Sequence, residues 1–402
     1  MTKGFLKAGH LPTLIAAFLY FDLSFMVWVL LGPLGVAIAQ ALHLNPAQKG
    51  FMVAVPVLAG AGLRVVLGIL VDRFRARRVA IGAQLVVIAG LITAWAVGIS
   101  SFGATLVLGV VLGLAGASFA VALPLASSWY GPEHQGMALG IAGAGNSGTV
   151  LAALFAPGLA IALGWQNVVG LAAVPLAVVL GLFVLLAKDS PNAPPPKPVS
   201  DYLHLLRIGD TWWLMFFYSV TFGGFVGLAS SLTIYFHDQY GVSAVVAGNC
   251  TAAVVFVGSL VRPLGGAVAD RIGGVRALTA LYAVAACAFA AISTNPSTIW
   301  LAMPVFIVGM LALGMGNGAV FQLVPQRFKR EIGLMTGLVG MAGGVGGFYL
   351  ASSLGTSKQL TGSYGPGFLI FALLAVAALL GITGVRRRWC TTWAELHGAA
   401  RV

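Results

Sequence analysis

The sequence predicts an all-α integral membrane protein, twelve transmembrane helices forming two pseudo-symmetric six-helix bundles. Three observations lead there. The chain of 402 residues is 59% hydrophobic and only 8% charged, with a mean hydropathy of +0.98; a soluble domain carries about 25% charged residues. Apolar runs near the ~20 residues that cross a bilayer recur along the whole length. The two halves also repeat one another.

The runs fall near 11–40, 50–71, 79–99, 102–129, 137–163, 166–187, 211–238, 244–269, 277–294, 297–326, 332–357 and 363–385. The first follows Lys3 and Lys7. It is longer than the apolar core of a signal peptide and lacks a small-residue cleavage site after it, so it reads as a retained first span. Lipid offers exposed backbone groups no water, which makes each run a helix, and no alternating pattern of barrel strands is seen. The longest polar break, 188–210, holds Ser190-Pro191 and three consecutive prolines at 194–196. Such a segment is a semi-extended linker. The expected organisation is therefore an N-terminal six-helix bundle over 1–187, a cytoplasmic linker over 188–210, a C-terminal bundle over 211–385 and a cytoplasmic tail over 386–402.

The net charge of +12 would suggest nucleic acid in a soluble protein. Its distribution argues otherwise. Basic residues cluster at 73–78, 188–207, Arg271, Arg276, 327–330 and 386–388, in alternate loops, while the intervening loops carry little beyond Lys49 and Lys358. This positive-inside pattern places both ends in the cytoplasm. It accounts for the charge as a topology signal with lipid headgroup contacts, leaving no call for nucleic acid. Cys250, Cys287 and Cys390 are scattered, without a disulfide framework or zinc spacing. The six histidines lie at span ends or in loops. No metal site, cofactor, or nucleophile–base pair is expected, and an enzyme reading finds no support.

The internal repeat is specific. Arg64, Gly68, Asp72 and Arg73 recur as Arg262, Gly266, Asp270 and Arg271, displaced by 198 residues. Gly136, Gly140 and Gly143 match Gly333, Gly337 and Gly340, displaced by 197. Parallel six-span halves of this kind match the major facilitator architecture, whose substrate site lies near the midplane between the halves. The 68–78 loop resembles that superfamily's signature between spans two and three, with an echo at 266–276. Asp72 and Asp270 are expected to cap or pair across helix ends there.

Charges inside spans are costly and mark functional positions. Arg64 and Arg262 each stand eight residues before their Asp, about 12 Å deep at about 1.5 Å per residue, near the middle of a core about 30 Å thick. Pseudo-symmetry aims them at one another. Two converging cations in a dry cavity repel unless an anion separates them. Arginine's planar fork donates two parallel hydrogen bonds, which suits a small planar anion: nitrate, nitrite, formate or a carboxylate. The alternative is that fixed acids or carbonyls neutralise each guanidinium, but buried acids are too few to do so twice.

Asp22 is the acidic residue placed deep within a span. Burial favours its neutral form and the arginines favour its charged form. A group under such opposed pressures suits proton coupling; the other reading is a static counter-ion for Arg64. Tyr218 and Phe222, four apart, share one helix face, and with Phe119 they are candidates to sandwich a flat anion. Asn146 is a candidate donor, because a buried amide needs partners; Asn317 and Gln322 pose the same question more weakly. The glycines of spans five and eleven, Gly140, Gly143, Gly337 and Gly340 among them, are expected to let helices approach and slide.

Together these residues resemble the nitrate/nitrite porter family of the major facilitator superfamily, over essentially the whole chain. The runs 140–148 and 337–347 look like its paired glycine-rich signatures. Arg64 and Arg262 match its substrate arginines, 218–223 its span-seven segment, Phe119 its span-four aromatic and Asn146 its span-five amide. The resemblance implies nitrate, with nitrite a further substrate, held between two arginines and aromatic rings, with access alternating as the halves rock. It implies a place in the bacterial cytoplasmic (inner) membrane, serving nitrate assimilation, and a functional monomer is expected because the site is internal to one chain. The family includes proton symporters and nitrate/nitrite exchangers; Asp22 favours symport. The alternatives are an exchanger or nitrite exporter, a carrier for another planar anion such as formate and, outside transport, a membrane nitrate sensor, for which the sequence offers little cytoplasmic output.

Overall fold

The computed structural model describes residues 8–191, 203–328 and 331–397. The proline run at 194–196, Lys329, Arg330 and residues 398–402 lie outside the described residues. Among those described, twelve helices are long and apolar enough to cross a membrane. Spans one to six are Leu11–Trp28, Pro46–Phe74, Ala76–Val97, Phe102–Ser127, Met137–Leu163 and Trp165–Leu186. Spans seven to twelve are Gly209–Tyr240, Ala244–Ile272, Gly274–Ser293, Ile299–Arg327, Ile332–Thr361 and Gly365–Trp393.

Local chemistry sets several ends. Span two opens on a reciprocal capping box between Asn45 and Gln48, with Pro46 in its first turn, which satisfies two of the backbone donors a helix start leaves bare. Ser101 and Ser243 cap spans four and eight in the same sense.

Two segments differ from their hydropathy pattern. The apolar run 11–40 is not one helix: it stops at Trp28, turns, and resumes as Gly35–Leu42. Gly32 lies in that turn, against the backbone of Ser230 on span seven, where a side chain would collide with the Ser230 carbonyl. Pro33 follows and has no N–H to give a continuing helix. Conversely, the last helix does not stop where the apolar run ends at Val385 but continues to His397. Asp210, at the start of span seven, accepts hydrogen bonds from Arg327 Nε (2.8 Å), Trp389 Nε1 (2.8 Å), Trp393 Nε1 (3.3 Å) and Arg388. One carboxylate thus ties the starts and ends of spans seven, ten and twelve, and the stacked Trp389–Trp393 pair buries the apolar side of the extension.

The two six-helix groups meet chiefly through span two on span eleven and span five on span eight. Their packing is one-sided. At the end bearing Pro46 and Thr361, a side chain at Gly50 would come within 2.9 Å of Ala351 O, and one at Gly248 within 2.5 Å of Ala153 O. Lys49 pairs with Asp238 across the groups at 2.8 Å, and Tyr364 donates to the same carboxylate at 3.0 Å. At the other end Gly140, Gly143, Gly333 and Gly337 have nothing within 4 Å of where a Cβ would stand. The close approach expected at Gly140, Gly143 and Gly337 is found instead deeper, at Gly145, Gly148, Gly344 and Gly347. One end is shut and the opposite end is splayed.

Candidate anion site between the two halves

Span two carries Arg64 to the middle of the molecule, where it is 1% exposed. Its side chain is held from both halves. Nε donates to Gly116 O of span four at 3.2 Å, and Nη1 to Gly340 O of span eleven at 2.6 Å. The first acceptor exists because span four breaks: at Ala117–Ser118 the Ala120 N–H turns to Ala117 O, so Gly116 O is left to a side chain. Nη2 is buried and has no hydrogen-bond partner. The guanidinium carbon lies 5.1 Å from the Trp28 ring centroid, 5.4 Å from Phe119 and 5.2 Å from Phe222, within cation–π range of each.

Arg262 sits at a break too. Span eight is interrupted at Val261, and Arg262–Ile272 follows as a separate helix with Pro263 in its first turn. Arg262 Nη2 donates to Tyr218 Oη at 3.4 Å, and its guanidinium carbon is 5.5 Å from the Phe321 ring. Nη1 is buried without a partner. The Tyr218 ring lies parallel to Phe222 at 5.1 Å and edge-on to Phe321 at 5.0 Å, and Phe321 is 6.2 Å from Phe119. Four rings thus join the two arginines, which are close enough to repel one another. The ion pairs of Lys49 with Asp238 and of Arg327 and Arg388 with Asp210 include neither site arginine.

The structure therefore brings together Arg64, Arg262, Tyr218, Phe119 and Phe222, with the Gly340 carbonyl as an anchor. Asn146 and Asp22 stand one layer away. Span five is broken by a 3₁₀ turn, Ala144–Ser147. Asn146 in that turn is buried, with Oδ1 unpartnered. Gly145 packs on Phe21, whose ring is 5.8 Å from Phe119. Asp22 of span one is 7% exposed and accepts from Ser147 Oγ at 2.7 Å. The counter-ion arrangement with Arg64 is not formed.

Sequence reasoning missed Trp28 and Phe321. Phe321 is one turn beyond Asn317 on span ten, and Trp28 is two turns beyond Phe21, so helical spacing from residues already singled out carried both signals.

The comparisons with known proteins follow the same lines. The family model of the Major Facilitator Superfamily matches residues 14–351. A Mycobacterium tuberculosis protein named "Probable nitrate/nitrite transporter NarK2" is 34% identical over 379 residues, 92% of this chain and 95% of that one. This chain belongs to the nitrate/nitrite porters of the Major Facilitator Superfamily. A Bacillus subtilis relative of this porter, named "Nitrite extrusion protein", is 32% identical over 357 residues, covering 89% of this chain and 90% of that one. The crystal structure of a bacterial homologue of the human lysosomal transporter Spinster, inward-facing and occupied, superposes with a TM-score of 0.73 at 16% identity, over 96% of this chain and 98% of that one. At that identity the likeness is one of fold. The porter is a multi-pass membrane transporter and not an enzyme.

Proposed function

We propose that this porter takes up nitrate by proton symport, clamping the anion between Arg64 and Arg262. The observation that carries the reading is the pair of unpartnered guanidinium N–H groups, Arg64 Nη2 and Arg262 Nη1, one on each half. Leaving a buried donor unsatisfied costs about 1–3 kcal/mol, more for a charged group. A planar anion supplies an oxygen to each and screens the repulsion between the two cations. The faces of Phe119, Phe222 and Phe321 hold the guanidinium groups without competing as hydrogen-bond acceptors, and the Tyr218 hydroxyl offers a donor. Asn146 is assigned to the same site, reached as span five moves.

The basic residues at 73–78 and 386–388 support assigning the splayed end to the cytoplasm by the positive-inside rule. Closing that end and opening the other separates Lys49 from Asp238. Asp22, buried and outside the arginine pair, takes the proton. A second reading, nitrate/nitrite exchange, draws on the absence of contact between Asp22 and either arginine: an exchanger needs no titrating group. The test is nitrate uptake into proteoliposomes. Uptake driven by an inward proton gradient without internal anion is expected; uptake that requires internal nitrite refutes symport and establishes exchange.

A further inference from the structure

Asp22 does not touch the arginines, so a proton bound there needs a route by which the anion site registers it. The structure offers one at the broken turn of span five. Ser147 Oγ lies 2.7 Å from Asp22 Oδ1 and 2.9 Å from Ala144 O. A hydroxyl has one proton to donate and lone pairs to accept. It therefore serves one of these two acceptors at a time. Asn146, whose buried Oδ1 lacks a partner, immediately precedes it.

We propose that Ser147 is the positioning residue that reports the protonation state of Asp22 to Asn146, turning its single hydroxyl proton between the Asp22 carboxylate and the Ala144 carbonyl. The inference rests on the reading of Asp22 as the proton site.

With Asp22 charged, the carboxylate is an acceptor only, and Ser147 donates to it. Span five is then bound to span one through its 3₁₀ turn. When a proton from water lands on Asp22, the carboxyl O–H becomes the donor and Ser147 Oγ the acceptor. The hydroxyl proton of Ser147 turns to Ala144 O. No proton is lost from the pair; one has been gained from solvent. The charge-assisted bond that pinned the turn to span one weakens to a neutral one, of roughly half the strength. The turn is then held by its own side chain, and the Asn146 amide is released from a position dictated by span one.

The packing makes this turn sensitive. Gly148 lies so close to the Asp22 carbonyl, and Gly145 to Phe21, that neither position accommodates a side chain. A shift of Ser147 is therefore transmitted to the chain on both sides of Asn146. The surroundings contribute no rival charge. Spans four and six, also packed on span one, carry no ionisable side chain. Within span five, Ser147 faces Asp22; Glu133 and His134 precede the span, more than three helical turns away along the chain. On span one itself, the Tyr20 hydroxyl is committed to Ala80 O. Arg64 lies beyond the Phe21–Phe119 ring pair.

The experiment compares wild type, Ser147→Ala, Ser147→Thr and Asp22→Asn in proteoliposomes, reading proton-driven nitrate uptake across pH as a ratio to nitrate–nitrate exchange, which moves no net proton. Ser147→Ala removes a hydrogen bond to the charged carboxylate, so the alkaline limb of the ratio is expected to move about one pH unit higher. Ser147→Thr, which keeps the hydroxyl, is expected to restore the limb, and thermal unfolding in detergent verifies that each variant is folded. If Ser147→Ala overlays wild type while Asp22→Asn abolishes the proton drive, the relay is overturned and the proton site stands. If Asp22→Asn retains proton-driven accumulation, the proton site fails and the relay with it. Loss of the drive in Ser147→Ala without rescue by Thr, in folded protein, also overturns the relay.

Discussion

Replacing Arg64 by lysine keeps the charge and removes the fork, which separates electrostatics from geometry. Arg64 divides its donors three ways: Nε to Gly116 O, Nη1 to Gly340 O, and Nη2 with no partner in the protein. Lysine has one nitrogen on a shorter polar head, and no single position reaches both carbonyls and an anion together. At least one hydrogen bond to a charged group is lost, each worth about 1.5–3 kcal/mol. At about 1.4 kcal/mol per factor of ten, nitrate affinity should fall roughly 10- to 150-fold. The fall should come in KM for nitrate–nitrate exchange in proteoliposomes, and in the Kd from binding to purified protein. Ring contacts with Trp28, Phe119 and Phe222 favour any cation at this place, so Arg64→Lys is expected to fold, checked by its thermal unfolding. A KM within about twofold of wild type, against the 1.4 kcal/mol that a tenfold change represents, would refute the claim that the planar fork grips the anion and leave Arg64 a generic positive charge.

Other perturbations test neighbouring parts of the argument. Tyr218→Phe removes the acceptor of a long 3.4 Å bond from Arg262; a weak neutral acceptor is worth about 0.5–1 kcal/mol, so Kd should rise roughly two- to fivefold, measured by titration of purified protein. Gly148→Ala drives a methyl into the Asp22 carbonyl, and such overpacking costs about 1–3 kcal/mol; a lowered unfolding temperature and lost uptake are expected, and a variant with wild-type stability would contradict the packing. Lys49→Ala removes a cross-half pair whose side chains are 20% and 15% exposed, worth at most about 1 kcal/mol. It should shift the balance of open ends by up to about fivefold, read as spin-label distances between spans two and eleven. Phe321→Ala strips the ring beneath Arg262 and the edge contact to Tyr218, and KM for nitrate should rise while Lys49–Asp238 distances stay unchanged.

Some features could be read from the order of residues alone. Twelve spans follow from apolar runs because lipid forces each to satisfy its backbone internally, and that is a local property of composition. The repeat of Arg64 and Arg262 is likewise visible as spacing, and burial of charge is expensive enough to mark both as functional. Asp22 stood out for the same reason. Gly340 was read as a packing residue, and in the structure its carbonyl is also an anchor for Arg64.

What the spacing did not contain is which groups meet. Arg64 binds Gly340 O across 276 residues and Asp22 meets Ser147 across 125; neither pairing has a local signature. The breaks at Trp28, at Ala117–Ser118 and at Ala144–Ser147 lie inside long, largely apolar runs, where mean hydropathy cannot distinguish a continuous helix from an interrupted one. Close approach between helices accompanies two of them, at Gly32 on Ser230 and at Gly148 on Asp22. The sequence by itself determined that this is a twelve-span porter with a pair of arginines at its centre, because solvation and charge burial act residue by residue. Only the tertiary structure decided that Asp22 is bound to span five rather than to Arg64, that Trp28 and Phe321 line the site, and that one end is shut, because those depend on non-local packing between two halves that rock.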